Sequence, residues 1–345
     1  MLTVNTNELS AILADYGLPG GAAGFAELQR YDYEYKGPDP REVRLILRVD
    51  TEDGRSLVLR LKNESDAPLK LIEAQSRFAQ LLRSRGIETP RSYRAGEGYA
   101  RQYALNGYEV VATLEDWMPG ELKTVDPETA EATGALLARM HGIAEAENAH
   151  VDGEVLFDPL RRNDLFSVED FSARGAFLRD LDEALYRDTL RQGEALLTRL
   201  RAWEDAPRYA VQGDISDCNL YRTAAGELGV FDFNRCGDNV LFFDAVMQAL
   251  FEARLMDYPE DLGEDREQQI LSAFLRGYDR VRPFTRQERE LYPALYALIS
   301  AFWLGDLRWD EGSLVKAVEA GDRERVRYWL ETVHLRAQDL PELPL

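Results

Sequence analysis

The sequence contains little cysteine and little histidine. Two cysteines, Cys218 and Cys236, and three histidines occur among 345 residues. A secreted domain built on disulfide bonds would carry more cysteine, and the scattered histidines and cysteines lack the spacing of a zinc site. We therefore expect reduced thiols and no zinc centre, with Cys218 as a small buried residue rather than a nucleophile or a metal ligand.

Long apolar runs are also absent. The longest candidate, "LYPALYALISAFWLGDL", is interrupted by Pro293 and predicts a buried helix rather than a membrane span. The first residues show no basic segment followed by an apolar one, so no signal peptide is predicted. These features lead us to expect a cytoplasmic protein that does not enter a membrane.

Positive charge is in deficit. The chain has 41 Lys and Arg against 62 Asp and Glu, a formal net charge of -21. Such a chain repels phosphate backbones and anionic lipid, so neither nucleic acid nor a membrane surface is expected as a partner. The acidic surface favours a cationic small molecule, or it serves only to keep the protein soluble.

The pattern of the chain predicts an α+β protein with two lobes, in line with its length. Residues 25–35, 41–50 and 55–63 alternate as strands do, and residues 99–105 and 108–114 form a further pair joined by an Asn-Gly turn. A helix with Leu71, Ala74, Phe78 and Leu81 on one face separates the two groups. Helical patterns dominate after Gly120, at residues 127–146, 168–203, 242–256, 266–281, 286–307 and 322–335.

We accordingly place a small antiparallel β-sheet lobe with one helix at residues 1–114, a hinge at 115–120 and a large, mainly helical lobe at 121–345. One stretch interrupts the helical region. "VQGDISDCNLYRTAAGELGVFDFNRCGDN" (residues 211–239) predicts a turn, a short β-hairpin with its turn at Ala225-Gly226, and a second turn.

This stretch carries Asp214, Asn219 and Asp232. Phosphoryl transfer needs a carboxylate to orient or deprotonate the acceptor hydroxyl and oxygen ligands to hold Mg²⁺ against nucleotide phosphates. In such a site Asp214 would face the hydroxyl, while Asn219 and Asp232 would face the metal. Because Asp and Asn also favour turns, three polar residues flanking a hairpin remain the alternative interpretation.

The first lobe offers the cations that the phosphates require. Arg60 and Lys62 lie two residues apart and therefore share one strand face, with leucines at 57, 59 and 61 on the other. Glu73, early in the next helix, is placed to pair with one of them. The alternatives are an exposed strand cation and a solvated helix carboxylate. His141 near the end of a helical pattern is expected to complement the helix dipole.

With these residues in place, "GDISDCN…FDF" resembles the catalytic loop and metal-binding segment of the aminoglycoside phosphotransferase and choline kinase-like family, small-molecule relatives of the protein kinases. That family reads H-G-D-x-x-x-x-N, a hairpin, and I-D-F or I-D-W. Gly213, Asp214, Asn219 and Asp232 match, whereas Gln212 replaces the histidine; an amide can still brace the loop by hydrogen bonds. "GDNVLFFDAVMQAL" matches a downstream segment whose aspartate, here Asp244, has a mainly structural role in the family.

The resemblance implies a protein-kinase-like fold and the remaining site residues. "LVLRLKN" resembles the strand that carries the family's nucleotide lysine, with Arg60 aligned to that position and Lys62 as the alternative, and Glu73 resembles its helix partner. "TLEDWMPG" resembles the hinge whose main chain binds the base, which assigns Glu115, Asp116, Trp117 and Met118 to nucleotide binding. ATP as co-substrate and Mg²⁺ are implied as well. The loop expected to cover the phosphates, residues 35–42, contains one glycine, fewer than the family pattern.

The predicted function is transfer of the γ-phosphoryl group of Mg·ATP to a hydroxyl of a small molecule. The negative net charge favours an amine-bearing acceptor, as an aminoglycoside, choline, homoserine or hydroxylysine would be, and the resemblance does not choose among them. The residues do not decide whether the nucleotide is ATP or GTP, nor do they fix the oligomeric state. A contribution of Trp309, Asp310 and Glu311 to the acceptor pocket is a further alternative. The alternative from another class is a catalytically silent nucleotide-binding scaffold or regulatory pseudokinase, which the glycine-poor loop and Gln212 motivate.

Overall fold

A computed structural model describes residues 1–32, 42–64, 67–161, 163–215, 217–259 and 262–345. The predicted turn at residues 36–40 and most of the loop at 35–42 lie outside these ranges. The chain divides into two compact units. The first comprises Met1–Leu122, Ala149–Gly153 and Asp217–Cys236; the second comprises Lys123–Asn148, Glu154–Ser216 and Gly237–Leu345. The functional lobes at residues 1–114 and 121–345 stay a prediction, and the units group the hairpin segment differently.

The first unit is built on a five-stranded antiparallel sheet in the order β1-β2-β3-β5-β4. The strands are β1 (Ala22–Asp32), β2 (Val43–Thr51), β3 (Ser56–Asn63), β4 (Ala100–Leu105) and β5 (Tyr108–Asp116). Asn106 and Gly107, both at positive φ, close the β4–β5 hairpin, as the sequence predicts. The polar and apolar alternation of β2 and β3 therefore folds as the predicted meander.

Two helices accompany the sheet. Helix α1 (Thr6–Asp15), which the sequence analysis did not predict, begins with a capping box between Asn5 and Glu8 and buries Leu9, Ile12 and Leu13 in the cluster formed by the apolar face of β3. Helix α2 (Leu69–Ser84) is confirmed. Its buried face, however, contains Ile72, Gln75, Phe78, Ala79 and Leu82, so only Phe78 of the predicted apolar stripe is buried.

The second unit is mainly helical. Its helices are α3 (Pro127–Ala146), α4 (Val168–Ser172), α5 (Gly175–Arg201), α6 (Leu241–Leu255), α7 (Arg266–Val281), α8 (Arg286–Ala301), α9 (Leu314–Ala320) and α10 (Arg323–Gln338). The predicted helix over 168–203 is divided, because the chain breaks after Ser172 and leaves helical geometry at Asp182. The helix predicted to reach residue 307 stops at Ala301 and is followed by a π-helical turn, Gly305–Trp309.

Four short strands complete the structure. Strands β6 (Tyr209–Val211) and β9 (Gly237–Asn239) pair in the second unit, and β7 (Leu220–Arg222) pairs with β8 (Leu228–Val230) in the first. The predicted hairpin is therefore present. Within the described ranges, no helix combines the length and apolarity of a membrane span.

Helices α3 and α7 pack closely enough to require glycine at the contact. A Cβ built on Gly134 would lie 2.0 Å from the carbonyl oxygen of Phe274, and one built on Gly277 would lie 2.0 Å from that of Glu131. A carbon atom cannot approach a backbone oxygen so closely, so a side chain at either position would force the two helices apart. The two glycines thus set the distance between the helices.

Candidate active site

Strand β3 places two cations on one buried face of the first unit. Arg60 is 8% exposed and Lys62 is 5% exposed. Arg60 lies opposite Thr113 of β5, so Glu115, two residues further along β5, shares its face. The Arg60 guanidinium forms an ion pair with the Glu115 carboxylate. Burial would lower the pKa of Arg60, but Glu115 and Asp232 outweigh it and raise that pKa, so Arg60 stays charged.

Lys62 lies in a different environment on the same strand. Its ammonium donates a hydrogen bond to the Asn234 side-chain oxygen. Burial, helped by the neighbouring cations Arg60 and Arg44, lowers the pKa of Lys62 to about 8, although Asp232 acts in the opposite direction. The pKa of Lys62 therefore lies close to neutral pH, and an anionic ligand would stabilise the charged form of Lys62.

The segment after β8 presents Asp232 to these cations. Asp232 adopts a φ of 54°, a region that Asp tolerates better than most residues, and its carboxylate accepts the Asn234 N–H at 3.1 Å. Burial would raise the pKa of Asp232, but Arg60, Lys62 and the Asn234 N–H together lower it. Asp232 is therefore an anion opposite two cations.

Asn219 belongs to the same end of the hairpin. Leu220 pairs with Val230, and the Phe231 N–H donates to the Asn219 carbonyl at 3.0 Å, so Asn219 and Asp232 lie one step apart across the two strands. Asn219 is 8% exposed. The hairpin thus brings the backbone positions that the D-x4-N and F-D-F patterns single out within one residue of each other.

The aromatic residues on either side of Asp232 anchor this segment. Phe231 stacks on Tyr221 with ring centres 5.9 Å apart, and Phe233 meets Phe78 of α2 edge to face at 6.3 Å. Gln75 of α2 adds two hydrogen bonds through its amide nitrogen, to the carbonyls of Asn234 at 3.1 Å and Cys236 at 3.0 Å. Helix α2 therefore fixes the backbone that carries Asp232.

The donor set suits Mg²⁺. One carboxylate and one amide supply hard oxygen ligands, and Mg²⁺ keeps its remaining positions for water and phosphate oxygens. The described residues contain no group of three or more His, Cys, Asp or Glu side chains that could hold a metal ion by themselves. Arg60 offers a hydrogen-bond donor for the phosphates that accompany such a metal, because its Nε–H is buried and makes no hydrogen bond within the described part of the chain. Asn219 and Asp232 thus fit a metal that arrives with a nucleotide.

Glu73 does not pair with a β3 cation as predicted. Its carboxylate accepts the N–H groups of Tyr99 at 2.6 Å and Ala100 at 2.8 Å and forms an ion pair with Arg77, one turn later in α2. Gly98, which has no side chain, lets the chain before β4 come this close. The ion-pair partner of Arg60 is Glu115 instead, although the sequence predicts only a main-chain role for Glu115.

The main chain of the predicted base-binding segment is partly engaged. The N–H of Asp116 donates to the Arg91 carbonyl and that of Trp117 to the Ser56 carbonyl, both at 3.0 Å. These two donors serve the sheet, so other groups of residues 115–118 would have to contact a base. The nucleotide role of Glu115, Asp116, Trp117 and Met118 stays a prediction.

In the second unit, Gln212 braces the loop that carries Asp214. Its buried side-chain oxygen accepts the Asp214 N–H at 2.8 Å, which is the bracing expected of an amide at this position. Gly213 has a φ of 83°, so the turn before Asp214 requires glycine. Asp214 is partly exposed, as a residue that meets a substrate needs to be.

Two expectations about single residues are wrong. Cys218 is exposed rather than buried, whereas Cys236 is buried. His141 is not at a helix end, because α3 continues to Ala146. It is fully buried, with Nε2 3.0 Å from the Asp244 carboxylate of α6 and Nδ1 2.8 Å from the Tyr278 hydroxyl of α7. Its role is still structural, since it joins three helices, and Asp244 shares that role.

A model of the phosphotransferase enzyme family (APH) matches residues 42–284, which include every predicted site residue. The chain belongs to this family. Membership confirms the resemblance drawn from residues 212–244 and supports small-molecule phosphotransferase activity over the scaffold alternative.

Individual relatives are distant. The chain is 32% identical over 131 residues to a homoserine kinase of Polaromonas naphthalenivorans (strain CJ2), a match that spans 36% of this chain and 39% of that protein. Two solved structures cover most of the chain. They are an amicoumacin kinase in complex with AMP-PNP and Ca²⁺ (TM-score 0.56, 15% identity, 95% of this chain and 93% of that chain) and a microcompartment-associated aminopropanol kinase (TM-score 0.54, 14% identity, 95% of each).

A third structure is the aminoglycoside phosphotransferase of Alicyclobacillus acidocaldarius. It has a TM-score of 0.51 and 14% identity, and the match covers 91% of this chain and 93% of that chain. At these identities the structures establish the fold. The predicted α+β, protein-kinase-like fold is confirmed.

Proposed function

We propose that this chain is an ATP-dependent kinase that phosphorylates a hydroxyl group of a small, amine-bearing molecule. The observation that carries the proposal is the cluster in the first unit, where buried Arg60 and Lys62 oppose Asp232 and the hairpin places the Asn219 backbone one residue away across the two strands. Cations for phosphate and oxygen donors for Mg²⁺ converge there, as phosphoryl transfer requires.

The roles follow from the chemistry of each group. Arg60 and Lys62 would bind the phosphates, and the Arg60 Nε–H, which has no hydrogen-bond partner among the described residues, is a donor suited to a phosphate oxygen. Asn219 and Asp232 would hold Mg²⁺, which when bound neutralises charge on the phosphates. Asp214 would orient the acceptor hydroxyl and accept its proton. The hydroxyl oxygen then bonds to the γ-phosphorus while the bond to the β-phosphate oxygen breaks, leaving a phosphate ester and ADP.

Two observations support an amine-bearing acceptor. The net charge of -21 raises the local concentration of cations around the protein. The names of two relatives, a homoserine kinase and an aminopropanol kinase, also denote substrates with an amine and a hydroxyl. We propose that residues 168–203 and the helices after Asp244 supply the acceptor-binding groups.

The test is a coupled ADP-release assay with Mg·ATP against a panel of amino alcohols and aminoglycosides, with products identified by mass spectrometry. Matching neutral polyols serve as the comparison class. We expect phosphorylation of at least one amine-bearing alcohol, dependent on Asp214 and unaffected by Asp205→Asn, a change at an exposed aspartate of the same unit. Nucleotide binding without phosphorylation of any acceptor would instead favour the scaffold alternative.

A further inference from the structure

A second cavity of the first unit gathers positive charge in an otherwise acidic protein. It has a volume of about 470 Å³, and its lining includes Arg55, Arg91 and Arg94 together with Tyr16, Tyr93 and Tyr99. Cavities of this size accommodate small molecules. Three arginines around one concavity are unexpected in a chain with a net charge of -21.

This cavity is separate from the candidate active site. Tyr16 and Tyr93 belong to the same apolar cluster as the leucines at positions 57, 59 and 61 of β3. Those leucines alternate with Arg60 and Lys62 along the strand, and neither of these two cations lines the cavity. Phosphates bound at Arg60 or Lys62 would therefore not occupy it.

Two of the three arginines carry uncompensated charge. Arg55 forms an ion pair with Asp53. Among the described residues, no carboxylate lies within ion-pair distance of Arg91 or Arg94. Their guanidinium groups lie instead over tyrosine rings, Arg91 over Tyr93 at 5.0 Å and Arg94 over Tyr99 at 5.3 Å. A guanidinium stacked on a ring keeps N–H donors along its edge for an oxyanion, and Arg94 uses one of its donors on the Glu97 carbonyl at 2.5 Å.

The wall that carries these arginines is preorganised. Gln80 of α2 donates to the Pro90 carbonyl at 3.0 Å and to the Ser92 hydroxyl at 3.1 Å. The Tyr93 N–H donates to the Leu114 carbonyl at 2.8 Å. These contacts fix the backbone that carries Arg91 and Arg94, which are themselves exposed, and a fixed backbone reduces the entropy lost on binding.

We propose that this cavity binds a phosphate dianion, free or as a small phosphate monoester, between Arg91 and Arg94. Two cations without a carboxylate partner among the described residues match the charge of about −1.5 to −2 that a phosphate group carries at neutral pH. The same wall contacts the end of β5, because the Arg91 carbonyl accepts the Asp116 N–H and the Tyr93 hydroxyl donates to the Asp116 carboxylate at 2.7 Å. Occupancy of the cavity would consequently alter the segment assigned to the nucleotide base.

The experiment is isothermal titration calorimetry of the full chain with inorganic phosphate and, separately, glycerol 2-phosphate at ionic strength balanced with chloride. We expect the double variant Arg91→Gln, Arg94→Gln to weaken binding about tenfold or more, since both charge-assisted contacts are lost. The matched control Arg85→Gln, at an exposed arginine of α2's C-terminal end, should bind as the wild type does. Tighter binding of one titrant identifies the free anion or the ester as the source.

A Lys62→Met variant separates this site from the candidate active site, because it should retain phosphate binding in the cavity and lose only phosphate bound through Lys62. Loss of the response in Lys62→Met, an unchanged affinity in the double arginine variant, or no phosphate binding by the wild type would each overturn the proposal. The charge-preserving double variant Arg91→Lys, Arg94→Lys should give intermediate affinity, which guards against a folding defect in the glutamine variant. None of these outcomes depends on the chain being an active kinase.

Discussion

The contact between α3 and α7 allows a prediction whose size follows from one distance. Alanine at position 134 would place its Cβ 2.0 Å from the Phe274 carbonyl oxygen, whereas carbon and oxygen atoms approach to about 3.3 Å. The helices must therefore separate by about 1 Å, and the obstacle is backbone that no rotamer change can move. Overpacking of this kind costs about 1–3 kcal/mol.

A gain in helix propensity partly offsets that cost. Alanine is favoured over glycine by about 1 kcal/mol inside a helix, so we expect Gly134→Ala to lower the free energy of unfolding by about 1 kcal/mol, and by about 2 kcal/mol at most. Gly142 on the same helix is exposed, and a Cβ there meets no atom within 4 Å. Gly142→Ala is thus the matched control and should be neutral or stabilising by up to about 1 kcal/mol.

Urea unfolding followed by tryptophan fluorescence measures this difference. Four of the five tryptophans, at positions 203, 303, 309 and 329, lie in the second unit with both glycines, so the signal reports mainly on that unit. If Gly134→Ala proves as stable as Gly142→Ala, the inferred close approach of α3 and α7 is incorrect.

Three further predictions concern polar contacts. Gln212→Leu removes the hydrogen bond that braces the catalytic loop, so it should lower kcat about tenfold with unchanged nucleotide affinity. Gln212→His should restore kcat, and a Gln212→Leu variant as fast as the wild type would contradict the bracing role. Glu115→Gln removes the charge that pairs with the buried Arg60 guanidinium, so it should lower the unfolding free energy by about 3 kcal/mol in urea titration. The control Glu109→Gln, at an exposed site of β5, should leave the unfolding free energy nearly unchanged. Asp244→Ala removes the partner of buried His141 and should lower the unfolding free energy by about 2 kcal/mol in the same urea titration. A loss smaller than that of the Glu109→Gln control would exclude a structural role for Asp244.

The features that were predictable from sequence depend on short-range periodicity. Arg60 and Lys62 share a face because strand side chains alternate, and the hairpin between Asn219 and Asp232 follows from its turn residues. Gly213 has a positive φ that glycine adopts readily. Helix α1 also has a sequence signal, the capping box of Asn5 and Glu8.

The features that were missed depend on tertiary arrangement. Arg60 meets Glu115 because β5 lies next to β3, and that sheet order is not encoded in either strand alone. Gln75 reaches the Asp232 segment because α2 turns a face toward it that differs from the predicted apolar stripe. Glu73 is diverted by a close approach of the chain at Gly98, which spacing along α2 does not reveal.

The central claim is that Asp214 performs proton transfer while Asp232 holds the metal and nucleotide. The most direct measurement compares Asp214→Asn and Asp232→Asn by calorimetric titration with AMP-PNP, with and without Mg²⁺, and by single-turnover phosphoryl transfer. We expect Asp214→Asn to bind Mg·nucleotide as the wild type does but to transfer phosphate about 10²–10⁴ times more slowly. Asp232→Asn should lose the Mg²⁺-dependent part of nucleotide binding. Near-normal transfer by Asp214→Asn, or undiminished Mg²⁺ dependence in Asp232→Asn, would contradict the account.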